Sequence, residues 1–364
     1  DIARVDYTDS DDGVLLLEPS STNLLTQSNG FDNWTSSNLT LTSGQSSAIT
    51  ELDEAWLFTA TGSTANVTVS VSSSSANTLS VFAKAGTQDG IFIRFSGSSS
   101  PRAFFNLSNG TLISETNTTS TNVEAFKDGW YRLSITGTDT VTDARIYVTD
   151  STGNFVSSGN IYVQNAQLEQ QSYATSYIPT AGTTITRAAE TCNNSKPSVN
   201  STEGVFYCEI QALASDSTNR YIALSDGSLS NRVNIFFDAS NVLRGFVTGI
   251  SSMPTSATIT DFNKIALKYK SGDISLFLNG SEVATKTDSI SLSGLNTVAF
   301  DNGGGSIFYG KVKGLAVYNE ALSESQLMQL TGVTASSIYN NFVTRTASFT
   351  VEALNEVKKV IDNL

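Results

Sequence analysis

The sequence predicts an all-β protein: two tandem antiparallel β-sandwiches of jelly-roll type, with a short helical segment at the C-terminal end. Three observations predict it. Apolar and polar residues alternate with period two through most of the 364 residues. Clusters of Gly, Ser, Asn and Asp bound the alternating runs at short spacing. Helical periodicity is confined to the last stretch of the chain.

The elements follow in order. Residues 13–34, "GVLLLEPSSTNLLTQSNGFDNW", begin as an apolar strand and end in turn formers and aromatics. Pro19 ends that strand because it donates no ladder hydrogen bond. The strand is expected to open the first sandwich, with Phe31 and Trp34 packed against it. "ANVTVSVS" (65–72), "NTLSVFAKA" (77–85), "GIFIRFSG" (90–97) and "DARIYVTD" (143–150) read as strands of that sandwich. The block is placed at residues 1–188. A turn-rich stretch, "AAETCNNSKPSVNSTEG", leads into a second block at 189–332. There "KYKSGDISLFLNG" reads as two strands joined by Ser-Gly-Asp and followed by an Asn-Gly turn at Asn279 and Gly280.

Residues 333–364 form a C-terminal segment. Just before it, "LSESQLMQLTG" carries a capping box, with Ser323 as N-cap, Gln326 three residues on, and Gly332 as its stop. Within it, Val351, Leu354, Val357, Val360 and Ile361 share one face of an amphipathic helix. That face requires a partner: the domain surface, or further copies of the chain.

Composition narrows the function. Charged residues are 15%, the net charge is −13 and there is no His. Nucleic acid is not an expected partner, since phosphate neutralisation needs Lys and Arg. His-based triads, metal sites and general bases are excluded. Cys192 and Cys208, sixteen residues apart, either pair across a hairpin-like return or stand as free thiols. Without His they are too few for a zinc site. No apolar run approaches the ~18–20 residues of a membrane span. The chain opens on Asp1 rather than Met, as expected if an upstream portion was removed.

Three tracts of the first block carry a resemblance. "LLLEPSSTNLLTQSNGFDNW", "FKDGWYRLSI" (126–135) and "QLEQQSYATSYIPTAGTTITRAAE" together resemble a module of tailed-bacteriophage structural and appendage proteins. That module is like the family 4/9 carbohydrate-binding jelly rolls. In the second block, "KYKSGDISLFLNG" and "KVKGLAVYNEALSESQLMQLTG" resemble laminin-G-like domains of concanavalin A type. The resemblance implies a virion surface protein with two carbohydrate-binding-type sandwiches.

Each candidate site residue has a packing or turn role as its alternative. Sugar recognition requires aromatic faces and a rim of hydrogen-bonding side chains. Trp34 and Trp130 read as core. Trp56, in "LDEAWLFT", is the glycan-stacking candidate, although alternation also allows it to point inward. Tyr173 and Tyr177 read as packing anchors of the exit strand. For calcium, which wants several oxygen ligands, the resemblance points to Asp53 and Glu54. "DYTDSDDG" (6–13) lacks EF-hand spacing and reads as a solvated turn. Asp226, Asp238 and Asp301 lie at strand ends, where a calcium role and simple turn chemistry both fit. No paired-carboxylate motif suits glycoside hydrolysis; Glu209 stands alone in "YCEIQAL". The many N-x-S/T triplets follow from composition.

The leading expectation is therefore a non-enzymatic phage virion surface protein, a fibre, appendage or head-decoration component, binding bacterial surface polysaccharide. Its other partners would be virion proteins, and copies of itself, a trimer by analogy. The alternatives are a purely structural virion component, and the accessory binding region of a polysaccharide-degrading enzyme.

Overall fold

A computed structural model describes residues 4–8, 13–47, 54–74, 76–192, 195–303 and 305–332. The expected amphipathic stripe at 351–361 lies outside them. The chain divides into two compact units, Glu18–Glu190 and a second made of Asp1–Leu17 with Thr191–Leu364. Both are β-sandwiches of antiparallel sheets.

The Glu18–Glu190 unit has two six-stranded sheets. Sheet I runs, in spatial order, Thr111–Thr116, Arg102–Asn106, Gly90–Ser96, Val141–Thr149, Asn66–Ser73, Thr35–Ser37. Sheet II runs Ser120–Ala125, Trp130–Gly137, Asn77–Ala85, Asn160–Glu169, Ala55–Ala60, Leu39–Gln45. Alternation sends Val67, Ile91, Ile93, Phe95 and Ile146 from sheet I, and Phe58, Leu79, Val81, Leu133 and Val163 from sheet II, into one core. Phe31 and Trp34 join it, edge to face at 5.1 Å, as expected.

The exit tract crosses the outer face of sheet II. Arg132 and Gln167 donate to the Thr175 carbonyl at 2.6 and 3.2 Å. Ile178 N–H donates to Gln167 Oε1, Thr175 N–H to Glu169 Oε2, and Thr78 Oγ1 to the Gln171 carbonyl. Beside this seam Trp130, Phe82 and Ala55 are buried, with Phe126, Tyr162 and Tyr177 packed against them. Trp130 is thus buried as expected, though in a satellite cluster outside the main core. Tyr177 anchors the exit strand as expected, and its hydroxyl meets Ser28 Oγ at 2.6 Å.

The opening and closing tracts meet. Ser21–Asn23 pairs antiparallel with Ile185–Arg187. Asn23 Oδ1 accepts from the Leu25 and Leu168 amides while its Nδ2 donates to the Ile178 carbonyl. Glu18, 4% exposed, pairs with Arg187 at 2.8 Å and accepts from Ser176 N–H.

One expectation is corrected here. The strand Val14–Leu17 does not open the first sandwich. It pairs with Gly310–Tyr318, Leu15 opposite Val312 and Leu17 opposite Gly310, and Leu17 joins the other unit's core. A short apolar run says that it is buried but not against which sheet. Gly310–Tyr318 offered the ladder edge, and the chain enters the first sandwich only after Pro19.

In the second unit, sheet III has seven strands: Val5–Asp6, Val14–Leu17, Gly310–Tyr318, Glu203–Ala212, Asn263–Lys270, Ile274–Leu278, Ser281–Lys286. Sheet IV has five: Met253–Pro254, Leu243–Val247, Arg232–Phe237, Arg220–Ser225, Thr297–Ala299. Asn279 and Gly280 both take positive φ, 48° and 87°, the backbone that a two-residue Asn-Gly hairpin requires. The helix Glu324–Thr331 keeps its predicted capping box, and Leu327 is buried with Val205, Ala266 and Phe277. Gly332 ends it in extended rather than left-handed backbone. Cys192 is exposed, Cys208 buried, and both are free thiols.

Asp139 gives a pH prediction for the first sandwich. Its buried carboxylate accepts from the Ser98 hydroxyl at 2.6 Å and from the amides of Ser98, Ser99 and Ser100. The Ser98 hydroxyl first, then the Ser99 and Ser100 amides, outweigh burial and hold its pKa well below the usual carboxylate range. A depressed folded pKa means stability present above about pH 4 and lost as pH falls toward the folded value. Asp139→Asn is expected to cost about 2–3 kcal/mol at pH 7. The gap from wild type should narrow at pH 3; a gap independent of pH would refute the assignment.

Candidate functional site

Sheet IV carries an unusual outward face. Val233, Ile235 and Phe237 of one strand, Ile222 and Leu224 of the next, and Leu243 and Val247 of the third point into the core. The intervening residues therefore point the other way. In register they form three cross-strand rows. Tyr221, Phe236 and Arg244 make the first. Ala299, Ala223, Asn234 and Phe246 make the second. Thr297, Ser225 and Arg232 make the third.

Small side chains floor the middle row and larger ones wall it. Tyr221 and Phe236 lie stacked, centroids 4.3 Å apart with planes 6° from parallel. The Arg232 guanidinium sits 5.3 Å above the Phe246 ring and donates to the Asn302 carbonyl at 2.9 Å. Arg244 pairs with Asp238, whose carboxylate also accepts from the Ser240 and Val242 amides. Burial would raise the Asp238 pKa, but the Val242 amide and Arg244 hold it down, so Arg244 keeps a charged partner. Burial pushes the Tyr221 phenol up, against the nearby Arg232 charge. It stays protonated at neutral pH, able to donate and to accept.

Asn234 is the decisive residue. It is 1% exposed, and among the described residues neither its amide nitrogen nor its amide oxygen has a hydrogen-bond partner. A buried polar atom left unpaired costs about 1–3 kcal/mol, so a structural role would be better filled by Val or Leu. A carboxamide offers two donors and two acceptor lone pairs, the complement of adjacent sugar hydroxyls. Phe236 is itself buried, while the partly exposed Tyr221 and Phe246 rings and two guanidiniums beside Asn234 offer aromatic faces and further donors.

The sequence-level candidates fall elsewhere. Trp56 is half-buried in Ala55–Ala60. It shares its sheet face with the core residue Phe58 and packs on that core, its ring edge-on to Phe31 at 6.4 Å. Glu54 is exposed, and its carbonyl accepts from Asn29 Nδ2 at 2.8 Å. Asp53 lies outside the described residues. Calcium needs six or more oxygens, and among the described residues no three Asp, Glu, Cys or His side chains converge. The described chain thus contributes at most two carboxylates at that place. Asp226 and Asp301 bind the amides of Ser228 and Gly303, as turn residues do. Glu209 faces Lys264 and Gly314 across its ladders, neither of them a carboxylate. No described helix is long and apolar enough to cross a membrane.

Sequence reasoning missed Asn234. The available signal was "RVNIFF", where period two places Arg, Asn and Phe on one face.

A family described as the concanavalin A-like lectin/glucanases superfamily, laminin G type, matches residues 195–328. That segment is similar to laminin G-type domains. Similar solved structures include the carbohydrate-binding module of the Ruminococcus gnavus IT-sialidase bound to α2,3 sialyllactose. It has 16% identity and a TM-score of 0.31, covering 37% of this chain and 84% of that one. Domains LG4-5 of the mouse laminin α1 chain give 10% identity and a TM-score of 0.27, covering 89% and 94%. The full extracellular region of zebrafish Gpr126/Adgrg6 gives 13% and 0.30, covering 81% and 37%. No curated protein matches.

Proposed function

We propose that this is a non-catalytic glycan-binding protein of a bacteriophage virion surface, a fibre, appendage or head-decoration component that contacts bacterial surface polysaccharide. The observation that carries the binding reading is the orphaned Asn234 amide between the Tyr221–Phe236 stack and the Arg232–Phe246 pair. Support for the virion setting is the resemblance carried together by the opening, "GWYR" and exit tracts. Several copies per particle, in a trimer or a larger array, would turn weak single sites into firm attachment.

A glycan-array measurement on the full chain, with calcium and with a chelator, tests the reading. Selective retention of bacterial polysaccharides is expected. Loss on chelation would bring Asp53 and Glu54 in as calcium ligands. Absence of binding to every bacterial polysaccharide would leave a structural virion component in its place. Trp56→Ala is a separate check. We expect about 2–3 kcal/mol lost from the first sandwich, since half of a large ring leaves the core, with glycan retention by the folded protein unchanged. Loss of retention without loss of stability would return Trp56 to the role of stacking residue.

A further inference from the structure

Sheet I carries a second patterned face, in the other unit. Its core-facing residues are Ile91, Ile93 and Phe95, Ala103 and Phe105, and Ala144, Ile146 and Val148. On the opposite face Arg102, Arg94 and Arg145 stand directly across three adjacent strands. Neighbouring strands lie about 4.8 Å apart, so three guanidinium stems span roughly 10 Å. Thr116 continues the row at one end and Thr68 at the other.

Like charges directly opposite each other oppose sheet formation. Here they are only partly answered. Among the described residues Asp143 is the one carboxylate on this part of the face. It pairs with Arg145 at 2.7 Å and accepts from Ser96 Oγ, which in turn accepts from Arg94 Nη2. Arg102 reaches the Ser100 carbonyl at 3.3 Å. Arg94 Nε is buried without a partner. Three cations against one anion form a local positive strip on a chain of net charge −13.

The next row along the strands is aromatic. Phe104, Phe92 and Tyr147 stand in register. Phe92 and Phe104 stack at 4.1 Å. Phe155, 41% exposed, sets its edge against Phe92 at 5.7 Å. Ser114 and Asn66 close this row at its two ends.

We propose that this face binds an acidic polysaccharide, its carboxylate or sulfate groups on the arginine row and its sugar rings against Phe155, the exposed ring packed on the mostly buried aromatic row. Guanidinium matches both anions with paired N–H donors. The exposed Phe155 ring suits a pyranose face, and Ser114, Asn66, Thr116 and Thr68 at the ends of the two rows suit hydroxyls. A nucleic acid fits less well: its phosphates repeat every few ångströms, and a strip of three arginines on an acidic chain answers few of them. The site shares no residue with the one around Asn234 and does not depend on it.

The test is affinity electrophoresis of the full chain through gels holding polygalacturonate or dextran sulfate, with carboxyl-reduced polygalacturonate and dextran as neutral counterparts. Retardation by at least one acidic polymer and by neither neutral one is expected. Raising salt from about 0.05 M to about 0.5 M, which shortens the screening length severalfold, should weaken it about tenfold. Arg94→Gln combined with Arg102→Gln should weaken it at least tenfold without lowering the melting temperature. Phe155→Ser, on the exposed edge, should weaken it severalfold. Asn234→Leu should leave it unchanged, which separates this site from the other. Equal retardation by the neutral polymers, none by either acidic polymer, an unaltered double variant, or tighter binding of single-stranded oligothymidylate would each overturn the proposal.

Discussion

Glu18→Ala is expected to remove about 3–5 kcal/mol from the first sandwich, the cost of breaking a buried ion pair from one side. Glu18 sits where the chain enters that sandwich, and Arg187 sits where it leaves. Their pair at 2.8 Å closes a seam that Arg187 extends to the carbonyls of Pro19 and Ser176. Without the carboxylate, the Ser176 amide loses its acceptor and a mostly buried guanidinium keeps only carbonyl partners. A domain is stable by about 5–15 kcal/mol in total, so the loss is large. Trp34, Trp56 and Trp130, the only tryptophans in the chain, all belong to the Glu18–Glu190 unit. Tryptophan fluorescence during urea unfolding therefore reports this sandwich alone. The midpoint should fall with the slope unchanged. Arg187→Ala should cost a similar amount, and the double variant much less than the sum. A loss under about 1 kcal/mol, or simple additivity, would show that the seam is not closed by this pair.

That seam also explains what was legible in the sequence. The three motif tracts can be read because each is bound to a fixed local backbone requirement. Asn23 must serve two amides and two carbonyls; Gln167, Glu169 and Thr175 must stitch the exit tract over sheet II. The strands were legible because one face of each is core, so alternation survives in "GIFIRFSG" and "NTLSVFAKA". What was not legible is anything set by register between strands distant in sequence. Arg94, Arg102 and Arg145 are three unremarkable residues until the ladders bring them into one row. Val14–Leu17 went to the wrong sandwich for the same reason: its apolar run fixes burial, not partner. Trp56 drew notice by residue type, yet the strand parity it shares with Phe58 turns it to the core.

Asn234→Leu is expected to move stability and binding in opposite directions. In the folded chain both amide atoms of Asn234 are buried and unpaired. Replacing them with an apolar side chain of similar size removes that penalty, so the second unit should gain about 1–3 kcal/mol. Ala223 and Ala299 in its row are small enough to accommodate the two methyls that replace the amide oxygen and nitrogen. Polysaccharide retention assigned to this face should fall at least tenfold, because a ligand hydroxyl buried against leucine loses its partner. Asn234→Asp gives the control: it keeps the acceptors, removes the donors and buries a charge near Arg232, so stability should drop rather than rise. A stabilised Asn234→Leu protein with full retention would mean that the orphaned amide is a folding defect and not a recognition group. A destabilised one would mean that the amide is satisfied within the fold. Only the combination of a tighter fold and a lost ligand places recognition at Asn234, since a residue kept solely for architecture gains nothing from unpaired, buried polar atoms.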